Sequence, residues 1–284
     1  MIKIENVEVV GWEHAIRGMR NPMNSWDKSD SEPGCEIVTG SHELCRECDY
    51  ASFIHGERVC DQKPELVLGY NDRDLMKKLR NAGTDHRKYM RMITVYLDVT
   101  APLYWWKEFD TYKVGTVANS CSTMHKITEK EFTLEDFSCE HLFSNDDMLD
   151  YDERSDIAKD NALAAVNVDG DWCYFTPHGF VQMTCNILNH YRQKYLECAE
   201  RLKYNNFEDW HDGMVCKDDQ KKYWWQIIQL LPSSYNQKRT IMLNYEVLAN
   251  MYKSRKAHKL DEWRAFCGWI ESLPYSELIT GEEE

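Results

Sequence analysis

Three stretches of the sequence hold residues whose types and spacing could do chemistry. The first, 35–60, carries Cys35, Cys45, Cys48 and Cys60, with His42 and His55 beside them. Zinc takes four soft ligands in a tetrahedron, and the C-x-x-C pair Cys45 and Cys48 supplies two from one turn. This is a candidate zinc site. A surface loop of reduced thiols is the other reading, because the chain has one C-x-x-C and its outer spacings match no common finger. The second stretch is "KEFDTYKVGTVANSCSTMH", 107–125, a run of hydroxyl, amide and glycine residues behind an aromatic segment. Cys121 lies in it, but no histidine or base stands at a fixed spacing that would activate a thiol. The third is "NYEVLANMYKSR", 244–255. Asn244, Leu248, Met251 and Arg255 are spaced by four, three and four, so a helix there would put a polar group at each end of an apolar line.

The elements that must position these residues follow from periodicity. Residues 2–10 alternate as a strand, and a short helix runs from about Glu13 to Asn21-Pro22. Residues 27–64 form an irregular insertion. A helix capped by Asn71 or Asp72 carries Leu75, Met76 and Leu79 on one face and stops at Gly83. "MITVYLDV" (92–99) is a half-buried strand with Ile93, Val95, Leu97 and Val99 inward. Pro102 opens the next helix, and Thr133 with Asp136 forms a capping box. A second, acidic insertion covers 144–180 and contains a hairpin turning at Asp169-Gly170. Helices are expected at 182–203, 221–231 and 240–263, then on to about Leu273. One member of each tryptophan pair, Trp105-Trp106 and Trp224-Trp225, is expected in the core. The expected architecture is a single α+β domain over 1–284, with a mixed sheet, a helical last third and two insertions.

Acidic residues outnumber basic ones 48 to 34, a net charge of −14. A nucleic-acid partner is therefore excluded as the main one, since such binding exchanges counterions for Lys and Arg. No apolar run is long enough for a membrane span and no signal pattern opens the chain, so a cytoplasmic location is expected. Eleven cysteines, an odd number, suit reduced thiols.

Two blocks together resemble the flavin-dependent thymidylate synthase (ThyX) family. One is "DLMKKLRNAG" followed by "MITVYLDVTAPLYWWKEFDTYKVGTVANSCSTMH"; the other is "LPSSYNQKRTIMLNYEVLANMYKSRKAHKLDEW". The second block is similar to the family's helix bearing N-x5-N-x4-R, with Asn244, Asn250 and Arg255 on the three positions. Glu246 stands where the family has an arginine. In the first block the family's signature R-H-R-x-x-S-x-N-E-x-S-x-R falls on 111–123. Thr111, Tyr112 and Lys113 take the first three places, Thr116 the serine, Ala118 and Asn119 the Asn-Glu pair, Cys121 the next serine and Thr123 the last arginine.

The resemblance implies an α+β fold, FAD, a pyrimidine nucleotide and a homotetramer with sites between subunits. It places Asn244, Asn250, Tyr112, Lys113 and Asn119 toward the flavin, and Arg255, Thr111, Cys121 and Thr123 toward the nucleotide. It identifies no catalytic residue. The family's arginines grip phosphate and flavin, and a lost charged hydrogen bond costs roughly 1.5–3 kcal/mol. Altered or lost methyl transfer is therefore expected. Arg17, Arg20, Lys107, Arg239 and His86-Arg87 are the cations that could compensate. Three readings stay open: a flavin enzyme acting on a pyrimidine nucleotide, a non-catalytic relative that binds a nucleotide or a protein, and a zinc-stabilised interaction protein.

Overall fold

The computed structural model describes residues 2–34, 51–54, 57–60, 65–144, 164–168, 171–204 and 210–281. The elements run β1 (Lys3–Val10), α1 (Trp12–Arg20), β2 (Glu32–Gly34), β3 (Ala51–Ile54), β4 (Glu57–Cys60), β5 (Glu65–Val67) and α2 (Tyr70–Asn81). They continue with β6 (Thr94–Pro102), α3 (Leu103–Phe109), β7 (Val117–Ser120), β8 (Ala164–Val168) and β9 (Asp171–Phe175). The last third holds α4 (Pro177–Tyr204), α5 (Trp210–Leu230), β10 (Asn236–Asn244), α6 (Tyr245–Arg255), α7 (Asp261–Glu271) and α8 (Glu277–Thr280). One sheet has the order β1-β6-β10-β7, and β2-β5, β3-β4 and β8-β9 are two-stranded. The chain is α+β. No described helix is long and apolar enough to cross a membrane.

The chain separates into two compact units, each assembled from distant stretches of the sequence. One holds 1–4, 98–111 and 119–240; the other holds 5–97, 112–118 and 241–284. In the first, α3 buries Trp105, Trp106 and Phe109 together. Both members of this tryptophan pair are core, not one. Trp106 donates Nε1–H to the Gln237 carbonyl at 2.9 Å, and the Arg239 guanidinium lies 4.2 Å from its ring while bonding Asp110 at 2.8 Å. A second cluster joins Ile127, Phe132 and Phe137 to Cys185 and Leu188 of α4 and Ile227 of α5. The capping box forms as expected, with the Thr133 N–H and hydroxyl both donating to Asp136. The expected hairpin also forms, with Val168 opposite Asp171.

In the second unit, α1 buries Trp12, Ala15, Ile16 and Met19, and α6 and α7 bury Leu248, Met251, Trp263, Phe266 and Ile270. Trp12 meets Tyr245 and Tyr275 edge-on at 5.3 and 5.2 Å, the arrangement that the ring quadrupole favours. Gly11, just before α1, has φ 98°, and a Cβ there would lie 2.1 Å from the Met92 carbonyl oxygen. The backbone oxygen cannot step aside. Gly11→Ala is expected to lower the unfolding free energy by at least about 2 kcal/mol, read in a urea titration.

Four further expectations are corrected. Neither Trp224 nor Trp225 is core: Trp224 is half-buried and Trp225 exposed. The helix at 70–81 is not capped by Asn71 or Asp72. Gly69 holds the cap position, and the Asp30 carboxylate accepts the Asn71 and Asp72 N–H groups at 2.8 and 3.0 Å. The region 27–64, expected to be irregular, contains β2, β3 and β4. The helix expected over 240–263 is instead the end of β10, then α6, a break, and α7. Gln237, Ile241 and Leu243 are buried on alternate positions, a strand period that lysine and arginine between them obscured.

Candidate functional site

Asn244 ends β10 and caps α6: its Oδ1 accepts the Val247 N–H at 3.0 Å. A cap side chain of this kind satisfies one of the helix's orphan donors. The loop ahead of β7 comes to it. Gly115 has φ 79°, and a Cβ there would lie 2.9 Å from Asn244 Nδ2. Only glycine meets both demands cheaply. Gly115→Ala is expected to destabilise by roughly 1–3 kcal/mol and to shift Asn244, visible as a changed side-chain amide resonance in a 15N spectrum.

Three turns further along α6, Arg255 Nε donates to the Tyr112 hydroxyl at 3.0 Å. Its guanidinium carbon lies 4.8 Å from the Trp263 ring and 5.7 Å from the Tyr112 ring. Arg255 is half-buried, so the aromatic faces fix the plane of a cation that carries five donors. A guanidinium held in this way suits a planar carboxylate or a phosphate.

At 100° per residue, Glu246 and Asn250 share a different face of α6 from Asn244 and Arg255. Glu246 is 7% exposed. It accepts from Arg87 Nε at 3.3 Å, from Arg91 Nη2 at 3.3 Å and from Arg91 Nε. Arg87 also donates to Asn250 Oδ1 at 3.3 Å. Burial pushes the Glu246 carboxyl up, but the bonds and charges of Arg91 and Arg87 outweigh it and hold its pKa below the usual value. The carboxylate is thus ionised, and it occupies the space between two guanidinia. Sequence reasoning missed this cluster. The four-residue spacings of Arg87 to Arg91 and of Glu246 to Asn250 were the available signal.

The structure brings Tyr112, Asn244, Asn250 and Arg255 into one unit, with Lys113 exposed beside Tyr112. Thr111, Asn119, Cys121 and Thr123 belong to the other unit. There Thr111 donates its hydroxyl to the Glu108 carbonyl at 2.7 Å, closing α3. Asn119 is exposed on β7. Cys121 is exposed and is tied through its backbone to Lys238 and Gln237 at 2.9 and 3.0 Å, and Thr123 is half-buried in the following turn. Of the cations that could compensate, Arg20 is buried against Asp72, Arg17 bonds His14 at 3.1 Å, Arg239 is held by Asp110, and Lys107 is exposed.

Cys35, Cys45 and Cys48 lie outside the described residues, and Cys60 is placed only as the end of β4. Among the described residues no group of His, Cys, Asp or Glu could hold a metal ion.

No family model and no curated protein matches the sequence. Solved structures do match. A crystal structure of the flavin-dependent thymidylate synthase ThyX from Helicobacter pylori, complexed with FAD and dUMP, is similar at a TM-score of 0.51 and 13% identity, covering 98% of each chain. A second crystal structure of Helicobacter pylori Thymidylate Synthase X with FAD and dUMP gives 0.50 and 13%, over 99% of this chain and 98% of that one. The likeness shows the fold: this chain is built on the flavin-dependent thymidylate synthase architecture along nearly its whole length.

Proposed function

We propose that this protein binds a flavin or a pyrimidine nucleotide on the Tyr112–Arg255 side of α6 and does not carry out ordinary methyl transfer to dUMP. The observation that carries the reading is the fate of the cations. The similar structures hold FAD and dUMP, two ligands with anionic phosphates. Here the loop 111–123 has Lys113 as its one charged residue, and Glu246 holds Arg87 and Arg91. A phosphate dianion approaching that pair would meet a carboxylate already in place, and like charges at close range repel. Arg255 keeps its aromatic setting between Tyr112 and Trp263.

These residues fit a flavin in part. Tyr112 offers a half-buried ring, and Lys113 beside it is an exposed cation. Bound there, a flavin would supply hydride chemistry. The chain's own contribution would be to orient the ring and to hold an acidic group at Arg255. A homo-oligomer, as the sequence resemblance implies, is part of the proposal. The compact test is product analysis with dUMP, FAD, a reductant and a one-carbon donor. No methylated nucleotide above the protein-free control is expected, and its formation would overturn the claim of lost transfer.

A second reading, a non-catalytic relative that binds a protein partner, is favoured by Val114 and Val117. They are 90% and 60% exposed in the same loop, an apolar presentation that suits a covering surface.

A further inference from the structure

In the other unit, Lys217, Gln220, Lys221 and Trp224 lie on one face of α5, spaced three and four residues apart. With Tyr195 of α4 and the turn at Met124 and His125 they line a cavity of ≈ 500 Å³. The walls are tied together. Trp224 donates Nε1–H to the Met124 carbonyl at 3.1 Å, and the Ser122 hydroxyl accepts the Met124 and His125 N–H groups at 3.3 and 3.1 Å.

The lysines next in sequence to the lining residues are paired. Lys222 pairs with Asp219, Lys126 with Glu129 and Lys194 with Glu197. Lys217 and Lys221, which line it, form no ion pair among the described residues. Two ammonium groups one helical turn apart repel each other, and this persists in a chain with fourteen excess negative charges. An acidic protein that leaves these two cations together beside half-buried indole and phenol rings has the parts of a site for a ringed anion.

We propose that this cavity binds a small aromatic anion: a phosphate or carboxylate held by Lys217 and Lys221, with its flat ring against Trp224 and Tyr195. The site is separate from the α6 residues and does not depend on what they bind. Phenyl phosphate and inorganic phosphate, titrated by calorimetry into the full chain, test it. Phenyl phosphate is expected to saturate one site and to bind about tenfold or more tighter than inorganic phosphate, since the ring adds a stacking contact. The double variant K217Q/K221Q should weaken it by at least about tenfold. Both lysines are exposed, so the variant should unfold at the wild-type temperature. Lys222→Gln on the same helix, and Arg255→Ala at the α6 site, should leave the affinity unchanged. No saturable binding, equal binding of the two phosphates, or affinity kept in the double variant and lost in Arg255→Ala would each overturn the proposal.

Discussion

Asp72→Asn is expected to lower the unfolding free energy by about 3–5 kcal/mol, the range for breaking a buried ion pair from one side. Asp72 is fully buried and Arg20 is 4% exposed. Their bond, Arg20 Nε to Oδ1 at 2.6 Å, is one of five that the described residues make to the carboxylate. The Ser29 and Ser31 hydroxyls donate at 2.7 Å each, and the Asp30 and Ser31 N–H groups at 3.2 Å each. An amide in that position removes the charge opposite Arg20 and turns donors toward donors. Burial raises the Asp72 pKa, but the bonds of Ser31, Ser29 and Arg20 with the arginine's charge outweigh it, and the pKa is lowered. A lowered folded pKa means that the stabilisation is complete above the unfolded value and is lost as pH falls through the folded one. Equilibrium unfolding of wild type and Asp72→Asn should therefore differ most at neutral pH and converge in acid. A constant difference down to pH 2–3 would show that the carboxylate's charge is not what matters.

Glu246→Ala is expected to have the opposite effect on ligands. Removing the carboxylate frees donors of Arg87 and Arg91 beside the first turn of α6, where the helix end also favours an anion. Affinity for dUMP should rise by about tenfold or more, the worth of one charge-assisted contact. In its absence the variant should lose roughly 1–3 kcal/mol, because Arg87 is 18% exposed and is left with Asn250. Saturating dUMP should restore part of that loss by mass action. Calorimetry on the two proteins reads both effects. An unchanged dUMP affinity would mean that Arg87 and Arg91 do not face a ligand.

Much of the fold was legible where its cause is local. Ile93, Val95, Leu97 and Val99 alternate and are all buried, and the Thr133–Asp136 box spans three residues. The strand β10 was not legible. Its Lys238 and Arg239 are committed to Asp98 and Asp110, far away in sequence, and nothing in 236–244 alone announces those partners. The cap of α2 failed for the same reason, since Asp30 comes from another loop. At the candidate site, Arg255, Asn244 and Tyr112 were reachable from the resemblance and the helix spacing. The Glu246 cluster was not, because Arg91 and Glu246 meet across 155 residues of chain. Their pairing makes sense of Glu246, which from sequence stood as an isolated charge reversal.

Of the two ligands proposed for the Tyr112–Arg255 side of α6, the flavin is the one expected to bind. Titration of FAD against the purified chain, followed by flavin fluorescence, tests it most directly. Saturable quenching is predicted, weakened about tenfold when Tyr112→Leu and Lys113→Gln remove the ring and the cation together. Fluorescence that stays unchanged at every protein concentration, or quenching indifferent to those two substitutions, would contradict it.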